Sequence, residues 1–218
     1  MASRLPAGRL PSFLGFVPKK CVFMCVDTQE STRPHVWRYS HVITTAKKMQ
    51  DAATLLKIPF VISEHLQIEG GETAHEIDTA RADLIAQKTK FSMYVPEVAK
   101  FLEEKIPRDE KAEDRGACVL FGIETHICIL QTCLDLLANG YRVAVLADGV
   151  SSMHRAEIKI ALDHMASCGA VITTAETVVY QLLRDSEDDC FREWVEITKR
   201  YEEASDKTMN ELVSEIYM

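Results

Sequence analysis

The stretch ACVLFGIETHICILQTCLDLLANGYRVAVLAD, residues 117–148, reads as strand, helix, strand. ACVLFG is a continuous apolar run, THICILQTCLDLLA has the spacing of a helix that Asn139 and Gly140 stop, and YRVAVLAD is apolar again. Continuous runs are expected where a strand is covered on both faces, as in parallel sheets. The same alternation extends outward in both directions. Upstream, CVFMCV (21–26) ends at Asp27. A helix follows over 38–58, with Val42, Ala46, Met49, Ala53 and Leu56 three or four apart, and then FVIS (60–63) after Pro59. A third strand is weakly indicated near DLIAQ (83–87), before KTKFSM (88–93) and a helix over 95–106 that Pro107 closes. Downstream come a helix over 156–167 ended by Gly169, the strand AVITT (170–174) and a helix over 174–185. Repeated strand and helix with short links predict a three-layer α/β/α, Rossmann-like fold with a mostly parallel central sheet.

The chain of 218 residues suits one such domain, placed at 20–185. Residues 1–19 read as a flexible lead-in, and 186–218 as a C-terminal helical extension and acidic tail. RDEKAEDRG (108–116) reads as a solvated charged linker, and 65–74, with Gly70 and Gly71, as a long connection of the kind that often carries function. With 33 acidic against 25 basic side chains the formal charge is -8, which repels phosphate backbones and anionic lipid and speaks against nucleic-acid and membrane partners. No apolar run approaches the roughly 20 residues that span a bilayer, so a soluble protein is expected. Seven cysteines without a CxxC pair argue against a disulfide framework or a zinc-thiolate site and suit a reducing compartment. The first twenty residues carry Arg4, Arg9, Lys19 and Lys20 and no acid, which is compatible with a mitochondrial transit peptide; their prolines favour a cytoplasmic protein instead.

Ligands of open parallel sheets bind at the carboxyl ends of the strands. Those ends carry Asp27, Glu64 with His65, Lys88, the ETHIC turn and Asp148. If Thr125 is the N-cap, Cys128 lies in a first helical turn whose unpaired amides and dipole lower a thiol pKa. The same amides can hold an oxyanion, worth about 3 kcal/mol per donor. Each residue also has a plainer reading. A cysteine between Ile127 and Ile129 is by default core, a lysine by default a solvated charge, and Asp148 before GVSS a turn cap.

On CVDTQE (25–30), KTKFSM (88–93), GIETHICILQTCLDLLANGY (122–141) and VLADGVSS (145–152), in that order, the chain resembles the isochorismatase-like cysteine hydrolases. The resemblance spans residues 20–185. It implies a catalytic triad of Asp27, Lys88 and Cys128, with Lys88 chosen over Lys90 because a serine, Ser92, follows four residues later. It also implies a cis peptide between Ile123 and Glu124, an oxyanion site at the amides of Glu124 and Cys128, and a homo-oligomer, dimer or tetramer. The implied reaction is hydrolysis of a small amide-like or related substrate without a cofactor. Some relatives use acid catalysis on a vinyl ether instead, and one sequence leaves that route open.

Gln29, Trp37, Ser92 and Thr125 are expected to line the pocket. No metal is expected, because the Asp-x-His element of the zinc-binding relatives is missing from SEHLQIEGGETAHEI (63–77), where Glu64 and His65 are adjacent and His75 lies ten residues on. His126 falls on a different helix side from Cys128 and is a poor base for it. Two rival readings keep the fold without hydrolysis: a catalytically silent interaction protein, and a redox sensor in which Cys133 or another thiol resolves an oxidised Cys128.

Overall fold

The computed structural model describes residues 18–66, 71–107 and 116–218. Most of the lead-in and nearly all of the charged linker lie outside the described residues, as does Gly70. In chain order the elements are β1 (Cys21–Val26), α1 (Tyr39–Leu56), β2 (Phe60–His65), β3 (Leu84–Lys88), α2 (Pro96–Lys105), β4 (Ala117–Ile123), α3 (Leu130–Ala138), β5 (Arg142–Ser151), α4 (Arg155–Ser167), β6 (Val171–Thr173), α5 (Ala175–Leu183), α6 (Phe191–Thr208) and α7 (Ser214–Tyr217). All six strands are parallel, in the order β3-β2-β1-β4-β5-β6. The expected three-layer α/β/α architecture is therefore present.

Strand β1 shows why the sheet is apolar throughout. Its side chains alternate between two cores: Cys21, Phe23 and Cys25 pack with α1, α5 and α6, and Val22, Met24 and Val26 with α2, α3 and α4. Neither face meets water, so the run has no polar alternation. The strand order reverses between β1 and β4, whose carboxyl ends flank the switch point where such folds bind ligands. Gly122 lets the two strands close there: a Cβ at this position, where φ is +122°, would stand 2.1 Å from the Val26 carbonyl oxygen.

Three local readings need correction. Thr125 is not the N-cap; Glu124 is, and Thr125–Ile129 form a π turn in which the Ile129 amide reaches back five residues to the Glu124 carbonyl at 3.1 Å. Nor does β5 end at Asp148. Its pairing with β4 shifts between Leu120 and Gly122, and the strand runs on through Ser151. That shift leaves Asp148 buried inside the strand, where its carboxylate accepts the Ala175 amide at the start of α5 (3.0 Å) and its carbonyl the Thr45 hydroxyl (2.5 Å). Asp148 thus caps a helix and does not face the candidate site.

The C-terminal segment is helical almost to its end and is built into both cores. Trp194 and Ile197 of α6 join the α1 side, and Leu212 and Ile216 the α4 side.

Candidate active site

Three strand ends bring the site together. Asp27 follows β1 directly, Lys88 is the last residue of β3, and Cys128 sits in the π turn after β4. All three are buried. Asp27 takes a left-handed backbone (φ +45°), which aspartate tolerates better than most side chains, and its amide donates to the Ser63 carbonyl of β2 at 3.1 Å.

Both carboxylate oxygens of Asp27 are engaged. Oδ2 accepts from the Lys88 ammonium at 2.5 Å, and Oδ1 from the Ser63 hydroxyl at 2.6 Å. The ammonium spends its other two donors on the carbonyls of Lys90 and Phe91, each at 3.0 Å, and lies 4.0 Å from the Cys128 sulfur. The loop after β3 curls around the Lys88 side chain because it must satisfy a buried cation. Lys90 contributes only its carbonyl there and is itself exposed.

The Cys128 pKa is pushed well above the usual thiol value. Burial is the first cause and the Asp27 charge the second; Lys88 and the Glu124 amide pull the other way and lose. The expectation of a thiol acidified by a helix start is therefore overturned. Burial and the neighbouring carboxylate both favour the protonated thiol.

Above these groups lies a cavity of about 170 Å³ lined by Asp27, Thr32, His65, Phe91, Ile123, Glu124, Ile127 and Cys128. The four residues expected to line it do not. Gln29 is fully buried and clamps the connection after β2: its amide donates to the carbonyls of His65 (3.3 Å) and Gly71 (2.6 Å) and accepts the His65 amide (2.9 Å). The Trp37 ring carries the guanidinium groups of Arg38 and Arg155 at 5.8 and 5.5 Å from its centroid. Ser92 receives the Tyr94 amide at 3.1 Å, and Thr125 is buried. Of the residues that do line it, Thr32 and His65 fall in the loops 31–37 and 65–80, which read from the sequence as setting specificity, whereas Phe91 lies inside KTKFSM without a signal of its own; Ser63, the partner of Asp27, reads as one more residue of an apolar strand. The Phe91 ring stacks on His65 at a centroid distance of 5.9 Å.

The Ile123–Glu124 peptide is cis. The Glu124 carboxylate accepts the Met153 amide at 2.8 Å, while His126 places Nδ1 3.0 Å from the Ser152 hydroxyl and 3.9 Å from that carboxylate. None of the seven cysteines is in a disulfide. Among the described residues, Glu30, His75 and Glu76 present three ligand atoms within 4.8 Å of one another. The Arg33 guanidinium already sits against both carboxylates, at 2.6 and 2.7 Å, where a metal cation would have to go. No helix of the described residues is long and apolar enough to cross a membrane.

Comparison with known proteins follows the same frame. The isochorismatase domain family model matches residues 21–177. Isochorismatase domain-containing protein 1 of Salmo salar is 39% identical over 183 residues, which are 84% of this chain and 62% of that protein. The Danio rerio protein of the same name is 40% identical, again over 62% of its length, so the chain spans about three fifths of these relatives. Among solved structures, the MAR1 ribonuclease of Caenorhabditis elegans superposes with a TM-score of 0.75 at 31% identity, covering 84% of this chain and 91% of the other. The YcaC gene product of Escherichia coli, described as an octameric hydrolase of unknown specificity, shares the fold at a TM-score of 0.76 and 17% identity, covering 93% of this chain and 98% of its own.

Proposed function

The chain belongs to the isochorismatase family, and from that premise we propose that it hydrolyses a small amide or related carbonyl compound through Cys128, Asp27 and Lys88. The observation that carries this reading is the buried Cys128 thiol lining one cavity with Asp27, whose carboxylate the Lys88 ammonium holds at 2.5 Å while lying 4.0 Å from the sulfur. Asp27 removes the thiol proton as sulfur attacks the carbonyl carbon, so the thiolate never has to exist free in a buried site. The amides of Glu124 and Cys128 are the donors proposed for the resulting oxyanion. Collapse of the tetrahedral intermediate breaks the carbon–nitrogen bond while Asp27 returns its proton to the leaving amine. Water then attacks the thioester, Asp27 takes the water proton, and the carbon–sulfur bond breaks to restore the thiol. Lys88 offsets the carboxylate charge throughout.

A cavity of about 170 Å³ is smaller than the ~300–1,000 Å³ of sites for drug-sized ligands, which points to a compact substrate. RNA cleavage, which the name of one relative suggests, is less well supported. Phosphate backbones are gathered by basic surfaces, and the lining here holds two carboxylates and no lysine or arginine. The direct test is intact-mass spectrometry after rapid quench with a panel of small amides and activated esters. An acyl adduct should appear on the wild-type protein, map to Cys128 and be missing from Cys128→Ser. Turnover without any adduct, retained by Cys128→Ser, would move the assignment to acid catalysis by Asp27.

A further inference from the structure

The charges around the cavity do not balance, and the triad does not need the imbalance. Asp27 and Lys88, 2.5 Å apart, cancel one another for any group more than a few ångströms away. The Lys88 ammonium has also committed its donors to Asp27 and two carbonyls, so it has none left for a substrate anion. Glu124 therefore supplies the uncompensated charge of the wall. Its carboxylate is fixed by the Met153 amide at 2.8 Å, and the nearest histidine nitrogen, on His126, lies 3.9 Å away with a closer partner in Ser152. Ile123, Ile127 and Phe91 make the rest of the lining poor at screening that charge.

We infer that Glu124 is a specificity-determining residue that turns negatively charged compounds away from Cys128, so that the substrate class is small carbonyl compounds bearing no carboxylate or phosphate. This rests on the proposed role of Cys128 as the nucleophile. It goes beyond that role by assigning the sign of charge the site accepts.

A matched pair of alkylating reagents separates the two ideas. Iodoacetamide and iodoacetate differ little in size and present a neutral and an anionic group to the same thiol. In the native chain of 218 residues, the rate ratio of iodoacetamide to iodoacetate at Cys128 is read by peptide mass spectrometry and divided by the ratio at Cys168, an exposed thiol of the same molecule. The normalised ratio should be tenfold or more, the equivalent of about 1.4 kcal/mol. Glu124→Gln, which keeps an acceptor for the Met153 amide, should bring it down at least threefold without changing the melting temperature.

A normalised ratio near one overturns charge selection and leaves the nucleophile standing. A large ratio that Glu124→Gln does not move overturns Glu124 as its source. If Cys128 reacts with neither reagent until the protein is unfolded, the nucleophile assignment itself fails.

Discussion

At the scale of single residues, the site rests on a conflict between Cys128 and Asp27 that Lys88 only partly relieves. Burial and the neighbouring carboxylate both raise the thiol pKa, so replacing Asp27 removes one cause of the rise. Asp27→Asn should move the pH profile of Cys128 alkylation to lower pH while abolishing turnover, because the thiolate becomes easier to form but nothing remains to shuttle the proton. The two readouts moving in opposite directions distinguish a proton-transfer role from a structural one; a profile that moves up or stays put contradicts the assignment. The same change strands Lys88 without its counter-ion, so denaturant titration should show a loss of about 3–5 kcal/mol. The three residues are singled out by the resemblance that VDTQ, KTKFS and the T-x-x-C turn carry together, and the strand ends bring them to one place. The direction of the thiol shift was not legible in the sequence. Sequence places Cys128 near a helix start, whereas the sign depends on how deeply it is buried and on Asp27, which arrives from 101 positions away, the difference between 128 and 27.

Among the elements, the β5–α5 junction has the clearest titration. Asp148 is pushed up to about 6 from an ordinary 3.8, first by burial, against the lowering effects of Lys48 and the Ala175 amide. A carboxyl whose folded pKa lies above its unfolded value adds stability at low pH and loses it as pH rises through the folded value. Stability from this group should therefore decline between about pH 4 and 6.5, by roughly 3 kcal/mol for two units. Asp148→Asn cannot ionise. Melting curves across that range should show the wild type falling relative to the variant, and parallel curves would refute the assignment. Strands β1, β2, β4 and the helices α1, α2 and α4 were readable from their runs and periods. The irregularities were not: the bulge that carries β5 on to Ser151 and the π turn at Thr125–Ile129 are set by how β4 meets its neighbours. No local periodicity encodes an extra residue of that kind.

The whole molecule is closed by its C-terminal segment. Helix α6 lies on α1 through Trp194 and Ile197, the Lys48–Ser205 bond at 2.9 Å, the Tyr201–Asp51 bond at 3.0 Å and the His41–Thr208 contact at 3.0 Å; the chain then crosses so that Leu212 and Ile216 enter the opposite core. Trp194 is fully buried, so Trp194→Ala should cost about 3–5 kcal/mol in urea titration. A cost below about 1 kcal/mol would mean that α6 contributes little to the stability of the fold. An acidic composition is compatible with that burial, because α6 needs only a narrow apolar stripe to dock, while its remaining faces meet water and are free to be charged. By itself, the sequence determined a parallel sheet between helix layers and the three chemical groups that the strand ends present. Apolar runs and spaced motifs are local properties that survive in any context. Only the tertiary structure decided the protonation of Cys128, the capping role of Asp148, the use of Gln29 as a clamp and the makeup of the cavity wall. Each of these depends on distances between residues far apart in the chain, and the packing of the sheet sets those distances.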